Sequence, residues 1–182
     1  MSLYKSRIAS PVGPLILVGN RSHVTAIQFL DTSSKLPPDL SFAPPEKHLS
    51  QENPLLEARR ELEAYFRGAL TLFSTPLAPS GTPFQHRVWE ALRKIPYGET
   101  ASYGEIARWI DTPDASRAVG AACRANPVTI MIPCHRVVGK GGNLTGYAGG
   151  LRIKEFLLRL EQQDFRAPAG PENRESRRDR NP

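Results

Sequence analysis

Helix-start signals recur along this chain and divide much of it into short helices. Asn53-Pro54 has the pattern of an N-cap followed by proline at the first helical position, and Asp114 is a further N-cap candidate. Thr82 to Gln85 and Ser102 to Glu105 each have the pattern of a capping box. Together with the stop signals that follow, they predict helices over residues 53–68, 82–94, 102–110 and 114–125. A last helix over about residues 151–162 is predicted from its apolar face, which carries Ile153, Phe156, Leu157 and Leu160.

The first thirty residues follow a different pattern, which is that of short strands. Leu3–Ala9, Leu15–Val18 and Val24–Leu30 are rich in apolar or β-branched residues, and proline, glycine and asparagine separate them. Residues 31–50 contain two Pro-Pro pairs and several serines and are predicted to form a loop. The N-terminal part is therefore predicted to be a small α/β domain, and its sequence shows no sign of chemistry.

The excess positive charge of the chain lies in the segment after a Ser-, Thr- and Pro-rich linker candidate at residues 74–82. The net charge is +6, and residues 83–161 hold eleven Lys or Arg against seven Asp or Glu. Such a surface suits a nucleic-acid partner, but it equally suits ordinary solubility. The helices at 102–110 and 114–125 have the spacing of a helix-turn-helix, although the small residues of the second also suit tight helix packing.

Cysteine and histidine usage argues against disulfides and metals. Cys123 and Cys134 are the only cysteines, and the four histidines show no paired ligand spacing, so we expect neither a disulfide framework nor zinc. No segment has the length and apolarity of a membrane span, and the N-terminus lacks the apolar stretch of a signal peptide. We therefore expect a cytoplasmic protein with no cofactor, no metal and no membrane partner.

Cys134 is the strongest candidate for chemistry because it follows a buried apolar run and precedes His135. A thiol becomes a good nucleophile as thiolate, and a neighbouring imidazole can accept its proton. Adjacent residues of an extended chain point to opposite faces, so His135 needs a turn or a water to reach the sulfur. The adjacency alone leaves a structural cysteine as the alternative, which is also our interpretation of Cys123 in its alanine-rich helix.

A dense series of further segments accompanies this motif. They are Phe84 to Trp89, Ile95 to Glu99, Ser102 to Gly104, Arg117 to Gly120, Arg124 to Pro127, Ile132 to Gly139, Thr145 to Gly150 and Lys154 to Glu161. Together they resemble the O6-alkylguanine-DNA alkyltransferase (methylated-DNA–protein-cysteine methyltransferase) family, and the form is similar to its bacterial single-function members. Residues before 83 resemble the family more loosely.

This resemblance implies a fold with two domains. Residues 1–78 would form an α/β domain, a ribonuclease-H-like small sheet plus a helix. Residues 79–163 would form a mainly α domain with a winged-helix-like helix-turn-helix that binds DNA and accepts the alkyl group. Residues 164–182 lie beyond the resemblance and have the Pro-, Gly- and Arg-rich composition of a disordered tail.

The resemblance also implies an activity, which is single-turnover, irreversible repair of O6-alkylguanine, with O4-alkylthymine as a further candidate substrate. The partner would be double-stranded DNA, bound from the minor groove by a monomer, with the damaged base flipped out. Cys134 would attack the alkyl carbon, His135 would deprotonate it through a water, and Glu161 would orient His135. Asn126 would brace the active-site segment, and Tyr103 would crowd the phosphate next to the lesion.

Two further groups of residues follow from the resemblance. Arg117 would fill the gap left by the flipped base, and the DNA-binding group comprises Arg117, Tyr103, Gly104, Ala118, Arg124 and Lys140. The substrate-pocket group comprises Val137, Tyr147, Ala148 and Gly149. Human-like members carry serine where this chain has Ala148, so one hydroxyl contact to the alkylated oxygen is expected to be missing.

Alternatives remain for the activity and for single residues. An alkyltransferase-like protein would bind lesions without repairing them, but it lacks the cysteine nucleophile that Cys134 supplies. A Cys-His hydrolase would need an oxyanion hole and would turn over repeatedly. Glu161 could be a solvated surface acid, Tyr103 an ordinary first-turn aromatic residue, and Arg136 a structural residue.

Overall fold

The N-terminal part of the chain forms a four-stranded sheet. The computed structural model describes residues 3–30, 41–42 and 53–162, so the disorder predicted for the C-terminal tail lies outside the described residues. The strands are β1 (Tyr4–Ile8), β2 (Leu15–Gly19), β3 (Val24–Phe29) and β4 (Ser41–Phe42), in the order β3-β2-β1-β4. β1 to β3 are antiparallel and confirm the three predicted strands.

β4 is a correction to the sequence analysis. Residues 41–42 lie within the predicted loop, yet they pair in parallel with β1 at its outer edge. A strand of two residues is too short to show the alternation on which strand prediction depends. The rest of the predicted loop lies outside the described residues.

Helix α1 (Pro54–Phe66) packs against β2 and β3. It begins as predicted, because the side chain of Asn53 accepts a hydrogen bond from the backbone N–H of Leu55 at 2.9 Å. One face of the helix is buried, and it carries Leu55, Ala58, Leu62 and Tyr65. Burial of this stripe fixes the helix on the sheet.

The C-terminal part is mainly helical. Its helices are α2 (Pro83–Leu92), α3 (Tyr103–Trp109), α4 (Ser116–Arg124) and α5 (Leu151–Glu161). The capping boxes predicted at Thr82 and Ser102 are both present. No helix in the part of the chain that the structure describes is long and apolar enough to cross a membrane.

The predicted N-cap at Asp114 is wrong. A turn closes first, because the N–H of Ala115 donates to the carbonyl oxygen of Thr112 at 2.9 Å. Ala115 then occupies the N-cap position, without a side-chain cap, and α4 begins at Ser116. Asp114 therefore lies inside the preceding turn, one residue too early to cap the helix.

The two parts of the chain share one hydrophobic core. The N–H of Ile27 on β3 donates to the carbonyl oxygen of Pro127 at 2.8 Å. The N–H of Thr129 donates to the carbonyl oxygen of Ile27 at 3.0 Å. Residues 128–132, predicted as a buried run, are buried throughout and lie along this edge of the sheet. The sheet thus holds the segment that leads directly to Cys134.

Beyond Cys134 the chain forms β6 (Val137–Val138), which pairs in parallel with β5 (Ala101–Ser102). Residues 139–150, predicted as a glycine-rich loop or hairpin, contain a 3-10 turn at Lys140–Gly142 and no strand. This pocket loop connects the active-site segment to α5.

Helices α1 and α3 end in the same hydrogen-bonding arrangement with different residues at the left-handed position. After α1, Gly68 has φ +69°, and the N–H groups of Gly68 and Ala69 donate to backbone carbonyl oxygens in the last turn of the helix. After α3, Asp111 has φ 57°, and the N–H groups of Asp111 and Thr112 donate in the same way. Both are Schellman motifs, and glycine is the residue that occupies this position without steric cost.

We predict that Asp111→Gly stabilises the protein by about 0.5–1 kcal/mol, because it relieves the left-handed conformation and removes a negative charge from a helix C-terminus. Urea unfolding monitored by circular dichroism gives the free energy of unfolding. Asp111→Asn should give part of the gain, since it removes only the charge. The matched control, Gly68→Ala, should cost about 1 kcal/mol. A loss of stability in Asp111→Gly would contradict the prediction.

Candidate active site

A single 3-10 turn at Cys134–Arg136 brings the reactive motif together. The N–H of Arg136 donates to the carbonyl oxygen of Pro133 at 3.0 Å, which closes the turn. Cys134 and His135 are therefore not on opposite faces of an extended chain. Both are buried, with 5% and 0% of their surface exposed.

The Cys134 thiol is held by Asn126, which follows α4. The amide Nδ2 of Asn126 lies 3.3 Å from Sγ and donates to the carbonyl oxygen of Ile132 at 2.9 Å, while Oδ1 accepts from the N–H of Val128 at 3.0 Å. One amide thus fixes the end of α4, the buried run and the thiol. Burial raises the pKa of Cys134, and the hydrogen bond from Asn126 acts in the opposite direction.

Glu161, the last residue of α5, lies beneath the turn. Its Oε1 is 2.7 Å from Nε2 of His135, and Arg136 donates from Nε to Oε2 at 2.8 Å and from Nη2 to Oε1 at 3.0 Å. The hydroxyl of Tyr65 on α1 donates to Oε1 at 2.7 Å, and the N–H of Gly98 to Oε2 at 3.3 Å. The alternative that Glu161 is a solvated surface acid is therefore wrong.

The charge state of this cluster follows from its contacts. Burial acts to raise the pKa of Glu161, but hydrogen bonds and positive charge from His135 and Arg136 outweigh burial and lower the pKa to about 2. Glu161 is thus an ionised acceptor, and Nε2 of His135 must carry the proton that it donates. Burial lowers the pKa of His135, although Glu161 opposes this effect.

The other ring nitrogen of His135 is free to accept a proton. Nδ1 is buried and has no hydrogen-bond partner among the residues that the structure describes. The tautomer that Glu161 imposes leaves a lone pair on Nδ1. Nδ1 can therefore accept a hydrogen bond or a proton, and His135 follows Cys134 in the same turn.

Lys154 is a second buried charge near the thiol. It is fully buried, and its Nζ donates to the carbonyl oxygens of Val137 and Thr145 at 2.5 and 2.7 Å. Burial lowers the pKa of Lys154, while Cys134 acts to raise it. The ammonium group therefore ties β6 to the pocket loop and favours negative charge on Cys134.

Cys134 lies in an open cavity of about 510 Å³ between α4 and the pocket loop. Thr145 donates to the hydroxyl of Tyr103 at 3.1 Å across this cavity. The lining includes Arg117 and Arg124 on α4 and Tyr147 in the loop, all of them predicted site residues. The structure thus brings Cys134, α4 and the pocket loop together around one space that is large enough for a small ligand.

Three residues that we predicted to line the substrate pocket do not line this cavity. Val137 is fully buried, and its carbonyl oxygen accepts from Lys154. Gly149 lies against the ring of Phe29, which a β-carbon there would approach to 2.6 Å. Ala148 is exposed outside the lining. These positions were inferred from the resemblance alone, which does not show how turns in this segment direct each side chain.

Some of the predicted DNA-binding residues line the cavity, and others do not. Ala118 is exposed on α4, and Lys140 is exposed in the pocket loop, but neither lines the cavity. Gly104 is half-buried in the first turn of α3. None of the three lines the cavity, and their contact with DNA stays a prediction.

Sequence analysis missed several residues of the site. Cys123, interpreted as structural, also lines the cavity. Tyr65 was not singled out, and Lys154 was only the first residue of a family segment. A lysine at a position that the helical period places inward was the one available signal for Lys154. Among residues 3–30, 41–42 and 53–162, no group of three or more His, Cys, Asp or Glu side chains is arranged to hold a metal ion.

Comparison with known proteins identifies the family. Residues 3–79 match the ribonuclease-like domain of 6-O-methylguanine DNA methyltransferase, and residues 83–163 match its DNA-binding domain. The methylated-DNA–protein-cysteine methyltransferase of Methanosarcina acetivorans is 49% identical over 159 residues, which are 87% of this chain and 98% of that relative. The relative of the same name from Mycobacterium leprae is 48% identical over 153 residues, 84% of this chain and 88% of its own.

A solved structure agrees in fold. The crystal structure of Mycobacterium tuberculosis OGT in complex with DNA superimposes with a TM-score of 0.76 at 46% identity, covering 89% of this chain and 93% of that one. The ribonuclease-like sheet domain and the helical DNA-binding domain therefore occur here in the same order. This chain belongs to the methylated-DNA–protein-cysteine methyltransferase family.

Proposed function

We propose that this protein repairs DNA by direct reversal, transferring an alkyl group from O6 of guanine to Sγ of Cys134. One observation supports this most strongly: the Cys134 thiol lies in an open cavity, hydrogen-bonded to Asn126, beside a histidine whose partner is an ionised carboxylate. The names of the curated relatives agree with this function.

The chemistry is a displacement at carbon. Sγ of Cys134 forms a bond to the alkyl carbon, and the bond between that carbon and O6 breaks with its electron pair remaining on the guanine. The thiol proton passes to Nδ1 of His135, directly or through a water, and a proton is returned to the departing base. Tyr103 has a hydroxyl in the cavity for that donation. The products are a thioether and intact guanine.

Each molecule acts once under this mechanism, because a thioether is not a disulfide and thiol exchange cannot reverse it. A Cys-His hydrolase would instead release product repeatedly. An alkyltransferase-like protein would bind without transfer, but Cys134 supplies the nucleophile that such a protein lacks.

The DNA-binding surface is assigned to α3 and α4 as a helix-turn-helix of winged-helix type. The first turn of α4 carries Arg117, exposed at the cavity. Exposed small residues, Ala118 and Ala121, allow close approach of a duplex. We assign the approach to the minor groove, with the damaged base flipped into the cavity and Arg117 filling the gap.

The remaining assignments concern organisation. The boundary between the two domains is placed at residues 78–79, with residues 164–182 as a separate tail. We assign a monomer that acts in the cytoplasm, in keeping with two free cysteines.

Cys134 is predicted to be the sole acceptor. Incubation with duplex DNA containing O6-methylguanine should convert one thiol per protein to a methyl thioether, seen in the intact mass and mapped to Cys134. Burial raises the pKa of Cys123 to about 12, and its neighbours in sequence, Ala122 and Arg124, offer no base of the kind that His135 provides for Cys134. Cys123→Ser should therefore retain transfer and Cys134→Ser should lose it. Methyl on Cys123, or product in excess of protein, would contradict the mechanism.

Glu161→Gln is predicted to slow transfer to free O6-benzylguanine by about 100-fold, because the base loses the carboxylate that orients it. Glu161 raises the pKa of His135, so the acid limb of the pH–rate profile should also move to lower pH. Binding to undamaged duplex DNA should change little. An unchanged rate and profile would mean that Glu161 only supports the fold.

Glu161→Gln should also lower the free energy of unfolding by an amount that depends on pH. The pKa of Glu161 is lowered from 4.5 to about 2, so its stabilising contribution is complete above pH 4.5 and is lost as the pH falls toward 2. At neutral pH the variant leaves Arg136 buried without its partner, which costs about 3–5 kcal/mol. The difference in urea unfolding free energy from the wild type should narrow between pH 4.5 and 2.

Arg117→Ala is predicted to slow repair of duplex DNA strongly, even at saturating protein, and to leave reaction with free O6-benzylguanine unchanged. Flipping a base costs a few kcal/mol, and an inserted arginine offsets part of that cost only in the flipped state. Arg124→Ala is the matched control, since Arg124 lines the same cavity from the same helix.

Arg124 is expected to act as a phosphate contact. Its removal should weaken DNA binding and lower the salt slope by about one unit without changing the saturated rate. If Arg117→Ala and Arg124→Ala behave alike, Arg117 is an ordinary phosphate contact. An equal loss on both substrates in Arg117→Ala would point to damage of the active site.

A further inference from the structure

One oxygen of Glu161 accepts hydrogen bonds from both parts of the chain. The hydroxyl of Tyr65 and Nε2 of His135 each lie 2.7 Å from Oε1, and Nη2 of Arg136 lies at 3.0 Å. Tyr65 belongs to α1, which packs on the N-terminal sheet, whereas the other two belong to the active-site turn. The N-terminal domain therefore touches the carboxylate that orients the histidine.

The hydroxyl of Tyr65 can only be the donor in this contact. Glu161 is ionised and offers no hydrogen, and burial together with the charge of Glu161 raises the pKa of Tyr65 far above its ordinary value. The ring is fully buried and is packed against Phe73 and Tyr97, with centroid distances of 5.3 and 6.1 Å. The hydroxyl is thus aimed at Oε1 by packing.

Sharing one oxygen couples Tyr65 to His135. A donor that already engages Oε1 withdraws charge from it, so the oxygen becomes a weaker acceptor for the Nε2–H of His135. It also fixes the orientation of the carboxylate, which in turn fixes the imidazole ring. A buried phenol hydroxyl needs an acceptor in any case, and here that acceptor is the same oxygen that contacts the histidine.

Resting on the alkyl-transfer function proposed above, we propose that Tyr65 is a positioning residue of the active site. Its hydroxyl bond to Oε1 of Glu161 sets the orientation and the acceptor strength of the carboxylate that holds His135. The N-terminal domain, which carries no other group of the site assigned so far, would thereby tune the base. The other titratable groups that face the His135–Glu161 pair are Arg136, Lys154, Cys134, Tyr97 and Tyr147.

The chain offers a matched pair of tyrosines for the test. Tyr65→Phe removes only the hydroxyl that donates to Glu161. Tyr97→Phe removes a neighbouring hydroxyl, which donates to the carbonyl oxygen of Leu160 at 3.3 Å instead of to the carboxylate. Both variants keep an aromatic ring in the same cluster, and thermal unfolding establishes that each is folded.

The first measurement is the NMR resonance of the Nε2 proton of His135 in the full-length protein without substrate. In Tyr65→Phe, Oε1 becomes a stronger acceptor, so this proton should move downfield. In Tyr97→Phe it should stay at the wild-type position. Because no alkylated substrate is needed, this result stands even where the proposed transfer function fails, and transfer by the wild type is checked separately by intact mass.

The second measurement is the rate of reaction with free O6-benzylguanine as a function of pH. Tyr65→Phe should lower the plateau rate by about three- to ten-fold, as expected for loss of one hydrogen bond to a charged group. Its acid limb should move to higher pH by about half a unit, because His135 binds a proton more readily beside a less engaged carboxylate. This direction is opposite to that expected for Glu161→Gln.

Site-specific 3-fluorotyrosine at position 65 provides a second variant that keeps the ring and hydroxyl. Fluorination makes the phenol a stronger donor, so the Nε2 proton of His135 should move upfield and the acid limb to lower pH. Opposite shifts in the two variants support the proposal. A Tyr65→Phe protein with the wild-type resonance and acid limb, or one indistinguishable from Tyr97→Phe, would overturn it and leave Tyr65 as a packing residue.

Discussion

The buried carboxylate of Glu161 is the interaction on which the rest of this structure depends. Only 1% of its surface is exposed, and an ionised group so deeply buried is tolerated only when its hydrogen bonds are complete. Its donors come from the active-site turn, from α1 and from Gly98 after α2. Three separate pieces of the chain must therefore meet at the end of α5. The domain arrangement and the orientation of His135 are consequences of the same requirement.

The same helix supplies a second buried charge of opposite sign. Lys154 lies two turns before Glu161 and so faces the same side of α5. Its hydrogen bonds to Val137 and Thr145 hold β6 and the middle of the pocket loop, which follow Cys134 in the chain. Glu161 holds the turn at Cys134–Arg136 in a similar way. α5 thus holds His135 at one end and the pocket loop at the other.

Local signals in the sequence were sufficient for most of the secondary structure. The caps at Asn53, Thr82 and Ser102 are contacts between near neighbours, so residue type and spacing reveal them. The predicted N-cap at Asp114 is wrong because a backbone turn forms at the same residues. Residue type alone does not show which of the two hydrogen-bonding patterns is more stable. Local sequence patterns could not reveal the hydrogen bond of Tyr65, since its partner Glu161 lies 96 residues further along the chain. The motif at Cys134 and the family resemblance predicted His135 and Glu161, but the contact of Tyr65 with Glu161 depends on packing between the domains.

The electrostatics of the thiol indicate when it becomes reactive. Burial raises the pKa of Cys134, and the hydrogen bond from Asn126 and the charge of Lys154 act in the opposite direction. Burial thus works against a standing thiolate, and the thiol gains from a nearby group that accepts its proton. In the proposed mechanism that group is Nδ1 of His135, which must be unprotonated to accept it. The contact of Nε2 with Glu161 favours this tautomer, so the carboxylate prepares the proton acceptor for the thiol.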